Sequence, residues 1–151
     1  MAWRFVDDRA TLDGATNGTL RTHFNQWVAE TARKEQPRAD MTDGDIVFTP
    51  RYSLFIHVDK NVLQSVVDRP NIEDFHHDDT GLVNLVDARW TPASDYDIDE
   101  DDEAEYFEPI DGCTEENVGW MRISTWMLGS VAYARFQNPN LWYVLYKDPQ
   151  R

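Results

Sequence analysis

Residues 119–146 read GWMRISTWMLGSVAYARFQNPNLWYVLY, and they gather Trp120, Trp126 and Trp142 with Tyr133, Phe136, Tyr143 and Tyr146 in a chain whose other segments are heavily charged. Large aromatic side chains bury more area than any others, so this stretch has to lie against the core. Its first part, residues 118–123, predicts a strand with Trp120 and Arg122 on one side and Met121 and Ile123 on the other. Ser124 or Thr125 can then cap a helix of residues 125–136, in which Leu128, Val131, Ala132 and Phe136 recur at helical spacing. Asn138-Pro139-Asn140 breaks it. Residues 141–146 suit a short final helix or a last strand, and the helix is favoured.

Outward from there, Leu20, His23, Phe24, Trp27, Val28 and Thr31 fall at i, i+3, i+4, i+7, i+8 and i+11. They form one apolar helix face, with Arg21, Asn25, Gln26 and Glu30 turned to water and Pro37 as the limit. Strand signals follow at residues 46–49 and 52–58, separated by Pro50-Arg51. In the second, Tyr52, Leu54, Ile56 and Val58 share a face and Ser53, Phe55 and His57 share the other, which suits a sheet with one buried side. Asp59 is placed to cap a helix of residues 60–68 whose buried stripe is Val62, Leu63, Val66 and Val67. Residues 82–90 give a further strand, alternating Leu82, Asn84, Val86 and Ala88 with Val83, Leu85, Asp87 and Arg89. Near the start, residues 2–6 suit an edge strand or a segment packing Trp3 and Phe5 on the core, and residues 7–18 are loop-like. With few helix signals and clustered strands, the expectation is one α+β domain over residues 1–151, a mainly antiparallel sheet of three to five strands packed against two main helices.

The composition, 41% hydrophobic and 13% aromatic, is that of a folded chain despite 28% charged residues. No apolar run approaches the roughly 20 residues of a membrane span, and MAWRFVDDRATLD lacks the apolar centre of a signal peptide, so an intracellular, cytoplasmic location is expected. The formal net charge of −14 opposes direct contact with nucleic acid backbones or anionic membranes and favours a basic protein surface. Cys113 is the only cysteine, which excludes an internal disulfide and a cysteine zinc site. Its acidic neighbours Asp111, Glu115 and Glu116 disfavour the thiolate that catalysis would need.

The charge is concentrated. Residues 95–108 contain nine carboxylates in fourteen positions and no basic residue. Like-charge repulsion in such a run favours an extended or partner-dependent segment. Asp97, Asp99, Asp101 and Glu108 match positions 1, 3, 5 and 12 of a calcium loop, but Asp102 stands at position 6, where that loop requires glycine. A second cluster sets His57 and Asp59, at a strand end, against His76, His77, Asp78 and Asp79 in the following loop. Imidazole and carboxylate suit a transition metal or acid–base catalysis, but adjacent histidines diverge along an extended chain, so no metal and no cofactor is implied. The catalytic candidates are His57, Asp59, His76 and His77. Phosphate-binding glycine loops, nucleophile elbows and dinucleotide fingerprints do not occur.

The segment CTEENVGWMRIS, followed by an aromatic helix and NPNLWYVLYKDP, resembles the ends of small uncharacterised acidic proteins of filamentous fungi. The resemblance covers the last third of the chain, implies a shared fold, and carries no catalytic residues across. Two functional expectations follow from the residues themselves. One is a non-enzymatic acidic protein, with an inhibitor, immunity-like or adaptor role, that engages a basic protein partner through Asp95, Tyr96, Asp97, Asp99, Glu100, Asp101, Asp102, Glu103, Glu105, Tyr106, Phe107 and Glu108. The other is a small lyase, isomerase or hydrolase with an aromatic-lined pocket, using His57 and a nearby carboxylate.

Overall fold

Three short, largely apolar segments pair into an antiparallel sheet, β1 (Leu54–His57), β2 (Leu82–Asp87) and β3 (Trp120–Ser124), in the order β1-β2-β3. The computed structural model describes residues 3–35, 49–67, 81–92, 107–138 and 140–149, with the backbone alone for 130–132. The helices are α1 (Arg9–Leu12), α2 (Asn17–Glu35), α3 (Pro50–Ser53), α4 (Lys60–Val67), α5 (Ser130–Arg135) and α6 (Asn140–Leu145). The expected α+β class holds, with three strands in the sheet among the described residues.

Register explains why β2 is so apolar. It pairs Phe55 with Val86 and Val86 with Trp120 in one row, and Ile56 with Leu85 and Leu85 with Met121 in the next. On one face Val83, Leu85, Met121 and Ile123 pack with Val62 of α4, Phe136 and Trp142. On the other, Val86 and Trp120 pack with Ile110 and Val118, and Phe55 and Cys113 fill in around them. Phe24 of α2 stacks on Phe55 with ring centroids 5.1 Å apart. The sheet is therefore buried on both sides, not on one as the alternation in residues 52–58 suggests. A strand covered twice has no reason to alternate polar with apolar, and LVNLVD does not.

Several local expectations are corrected. Tyr52 and Ser53 belong to α3 and not to a strand, because Pro50 at the first helical position presets the backbone and Ser53 Oγ donates to Thr49 O at 3.1 Å. Tyr52 is buried beside Ala32, with Trp27 and Val28 against them. The strand expected at residues 46–49 lies, apart from Thr49, outside the described residues. The single helix expected at 125–136 is divided into a 3-10 turn, Thr125–Met127, and α5. Between them Leu128 is extended and Gly129 sits at φ 105°, a conformation that only glycine takes readily. Ser124 makes no side-chain cap bond.

Residues 3–8 form neither helix nor strand, and Trp3 and Phe5 are exposed, so they add no edge strand and do not pack on the core. The loop expected at 7–18 instead contains α1, capped by Asp8 Oδ1 on Ala10 N at 3.1 Å. Of the stripe expected in α4 only Val62 is buried, while Leu63, Val66 and Val67 stay exposed. The cap at Asp59 and the final short helix stand as expected, and α5 ends at Arg135, ahead of the expected break. Among the described residues no helix is long and apolar enough to cross a membrane.

Candidate functional site

On the face of the sheet that carries Phe55, Val86 and Trp120, the following row is polar. His57 pairs with Asn84, and Asn84 with Arg122, so three side chains capable of recognition stand side by side on one face. Neighbours across antiparallel strands carry their Cβ atoms about 4.5–5.5 Å apart, within reach of one ligand.

Asp59, two residues beyond the end of β1, organises this row. Its Oδ1 accepts from Val62 N at 2.8 Å and caps α4, while Oδ2 accepts from Asn84 Nδ2 at 3.0 Å. A carboxylate can only accept, so this contact fixes which end of the Asn84 amide carries the NH2 group. The opposite end, Oδ1, is buried and has no hydrogen-bond partner, in a residue only 3% exposed. An unmet buried acceptor is costly, and it marks a place where a donor is wanted. Asp59 is thus committed to structure at both oxygens.

His57 is half-buried, and burial pushes its imidazole below the ordinary value of 6.5, with Asp59 and Asp111 pulling weakly the other way. The neutral ring therefore prevails at neutral pH, which is the form that can accept a proton. Arg122 is exposed and makes no hydrogen bond or ion pair with a described residue. The row offers a neutral base, an unmet amide oxygen and a guanidinium in one line.

His76, His77, Asp78 and Asp79 lie outside the described residues, as do Asp95, Tyr96, Asp97, Asp99, Glu100, Asp101, Asp102, Glu103, Glu105 and Tyr106. Phe107 is partly buried and Glu108 exposed. Among the described residues no three histidine, cysteine or carboxylate side chains converge as metal ligands. Cys113 closes a two-residue hairpin, exchanging two 2.9 Å backbone bonds with Ile110 around Asp111-Gly112, both at positive φ. Asp111 Oδ2 accepts from Asn17 Nδ2 at 2.9 Å and from Trp120 Nε1 at 3.1 Å. These contacts make the hairpin an anchor for α2.

The sequence reading missed Arg21, which it turned toward water. Arg21 is partly buried, donates through Nε to Asp87 O at 2.9 Å and through Nη2 to Gly119 O at 3.0 Å and Val118 O at 3.3 Å, and lies over the Trp90 ring at 4.7 Å. Asn25 Nδ2 donates to Ala88 O at 3.0 Å. The signal was present in the spacing: Asn17, Arg21 and Asn25 recur every four residues, a stripe of donors without an acid among them.

No protein-family model, no curated protein and no solved structure matches this chain.

Proposed function

We propose that this is a non-enzymatic, intracellular and cytoplasmic binding protein whose acidic segment engages a basic protein partner, as an inhibitor, an immunity-like protein or an adaptor. The observation that carries the reading is the run of nine carboxylates in residues 95–108 with no basic residue to neutralise them. Clustered charge speeds encounter with an opposite surface through long-range attraction, but a desolvated aromatic anchor contributes more to the final affinity. Tyr96, Tyr106 and Phe107 are interleaved with the carboxylates and supply that anchor. The test is capture from the native source with the wild-type chain and with residues 99–103 neutralised to Asn and Gln, at low and at moderate salt. A partner held equally by both chains at both salt concentrations sinks the reading.

One observation favours a second reading. A neutral His57, an unmet Asn84 Oδ1 and an unengaged Arg122 share one row. Such a row suits a small lyase, isomerase or hydrolase in which His57 moves the proton and Asp59 holds Asn84 in place. A ligand screen by thermal shift tests it: compounds that stabilise the wild type should lose that effect in His57→Ala, and unchanged shifts in the variant reject it.

A further inference from the structure

Away from the polar row, the partly exposed indole of Trp27 on α2 carries two guanidinium groups, that of Arg51 from α3 at 5.7 Å and that of Arg4 at 5.5 Å from the ring centre. The two are held differently. Arg51 is clamped to the Glu35 carboxylate by bonds of 2.7 Å and 3.0 Å, and the Tyr52 hydroxyl donates to the same carboxylate at 3.0 Å. With Trp27 packed against Ala32 and Tyr52, these bonds set a fixed aromatic face beside a fixed carboxylate. Arg4 makes no hydrogen bond or ion pair with a described residue. Its charge still reaches the site: Glu35 lies below its ordinary range because Arg51 bonds it, with the charge of Arg4 a smaller cause.

Arg4 belongs to residues 3–6, which form neither helix nor strand and leave Trp3, Phe5 and Val6 exposed, Phe5 at 88%. A cation–π contact at such an exposed site is weak and exchangeable. An arginine from another chain that took the place of Arg4 would meet the same ring and the same carboxylate, with no change in local charge. Lysine is a poorer substitute, because an ammonium is compact, strongly hydrated and does not stack. We propose that the Trp27 face beside Glu35 is a docking point for an arginine of a protein partner, occupied by Arg4 until the partner displaces it. This rests on the reading of a basic partner and adds a second point of attachment to residues 95–108. Two weak contacts to one partner reinforce each other, because the second forms within the complex made by the first.

The indole N–H resonance of Trp27, identified by its loss in Trp27→Phe, reports on this face in NMR. Acetyl-arginine amide is titrated into the protein, with the acetyl amides of lysine and citrulline as controls for charge and for shape. The arginine probe should shift the resonance saturably, and both controls should shift it much less. Arg4→Ala lies on an exposed segment and should leave the circular dichroism unchanged. In that variant the shift should be half complete at about two- to fivefold lower probe concentration, the range that one exposed cation–π contact spans. The response should persist when residues 99–103 are neutralised, whereas capture of the basic partner through that run should not, so the two readings fail separately. An equal response to lysine or citrulline, a midpoint in Arg4→Ala that is unchanged or higher, or a response that disappears with the neutralised run overturns the assignment.

Discussion

Removing the Arg21 guanidinium strands the backbone carbonyls of Asp87 and Val118 and leaves that of Gly119 with the Asp87 N–H alone, where α2 meets the sheet. Arg21→Ala should therefore lower unfolding stability by roughly 2–3 kcal/mol in urea titration, and Arg21→Lys should recover little, since an ammonium lacks the fork that reaches several carbonyls while stacked on an indole. Gly119 belongs to the same arrangement. It sits at φ 74°, and a Cβ there would run into the Trp90 ring and Arg21 Nη2, so Gly119→Ala should cost about 2 kcal/mol or more by the same measurement. His57 makes a prediction in pH. Its folded pKa lies below the unfolded 6.5, so the unfolded chain binds the proton first as pH falls. The neutral ring costs nothing above 6.5, and stability declines as pH drops through that value toward the lowered one. Urea midpoints between about pH 7 and 5.5 should fall for the wild type and lose that component in His57→Gln. An identical slope in both chains rejects the assignment.

Among the elements, α4 depends on one side chain for two purposes. Asp59→Ala removes its cap and leaves the buried Asn84 Nδ2 without an acceptor, for a combined loss of roughly 2–3 kcal/mol, whereas an exposed cap alone is worth about 1. Much at this scale was legible. Alternation in 118–123 placed Met121 and Ile123 in one core and Trp120 in the other, and Asp59 and Asn138-Pro139-Asn140 marked a start and a stop. What was not legible depended on tertiary contact. Tyr52 reads as a strand residue by alternation, yet Pro50 winds it into a helical turn that buries it against Ala32. Helical spacing runs unbroken through 125–136 because hydrophobic pattern does not register that Gly129 takes a positive φ. Arg21 was assigned to solvent because its acceptors are carbonyls far along the chain, which the every-fourth-residue stripe of donors signals without identifying. Of the candidate site, His57 and Asp59 were read from the sequence. Asn84 and Arg122 were recognised only as faces of strands, since their alignment with His57 is a matter of register.

For the molecule as a whole, a net charge of −14 is a standing repulsion that the folded state concentrates. Screening relieves it, so the midpoint of thermal unfolding should rise between roughly 10 and 150 mM sodium chloride. A midpoint that falls over this range would mean that attractive pairs outweigh the repulsion; among the described ion pairs Arg9–Asp13 is exposed and of small worth, while Arg51–Glu35 and Arg89–Asp87 are partly buried.

The ladder between β2 and β3 carries a kinetic consequence. Val86 and Trp120 become neighbours only when the chain between them is closed into a loop, and that chain contains all nine carboxylates of residues 95–108. Closing a loop costs entropy before any contact rewards it, and a loop of like charges resists closure further. Refolding in stopped flow should therefore accelerate as salt is added, while the unfolding arm, which starts from a loop already closed, should respond much less.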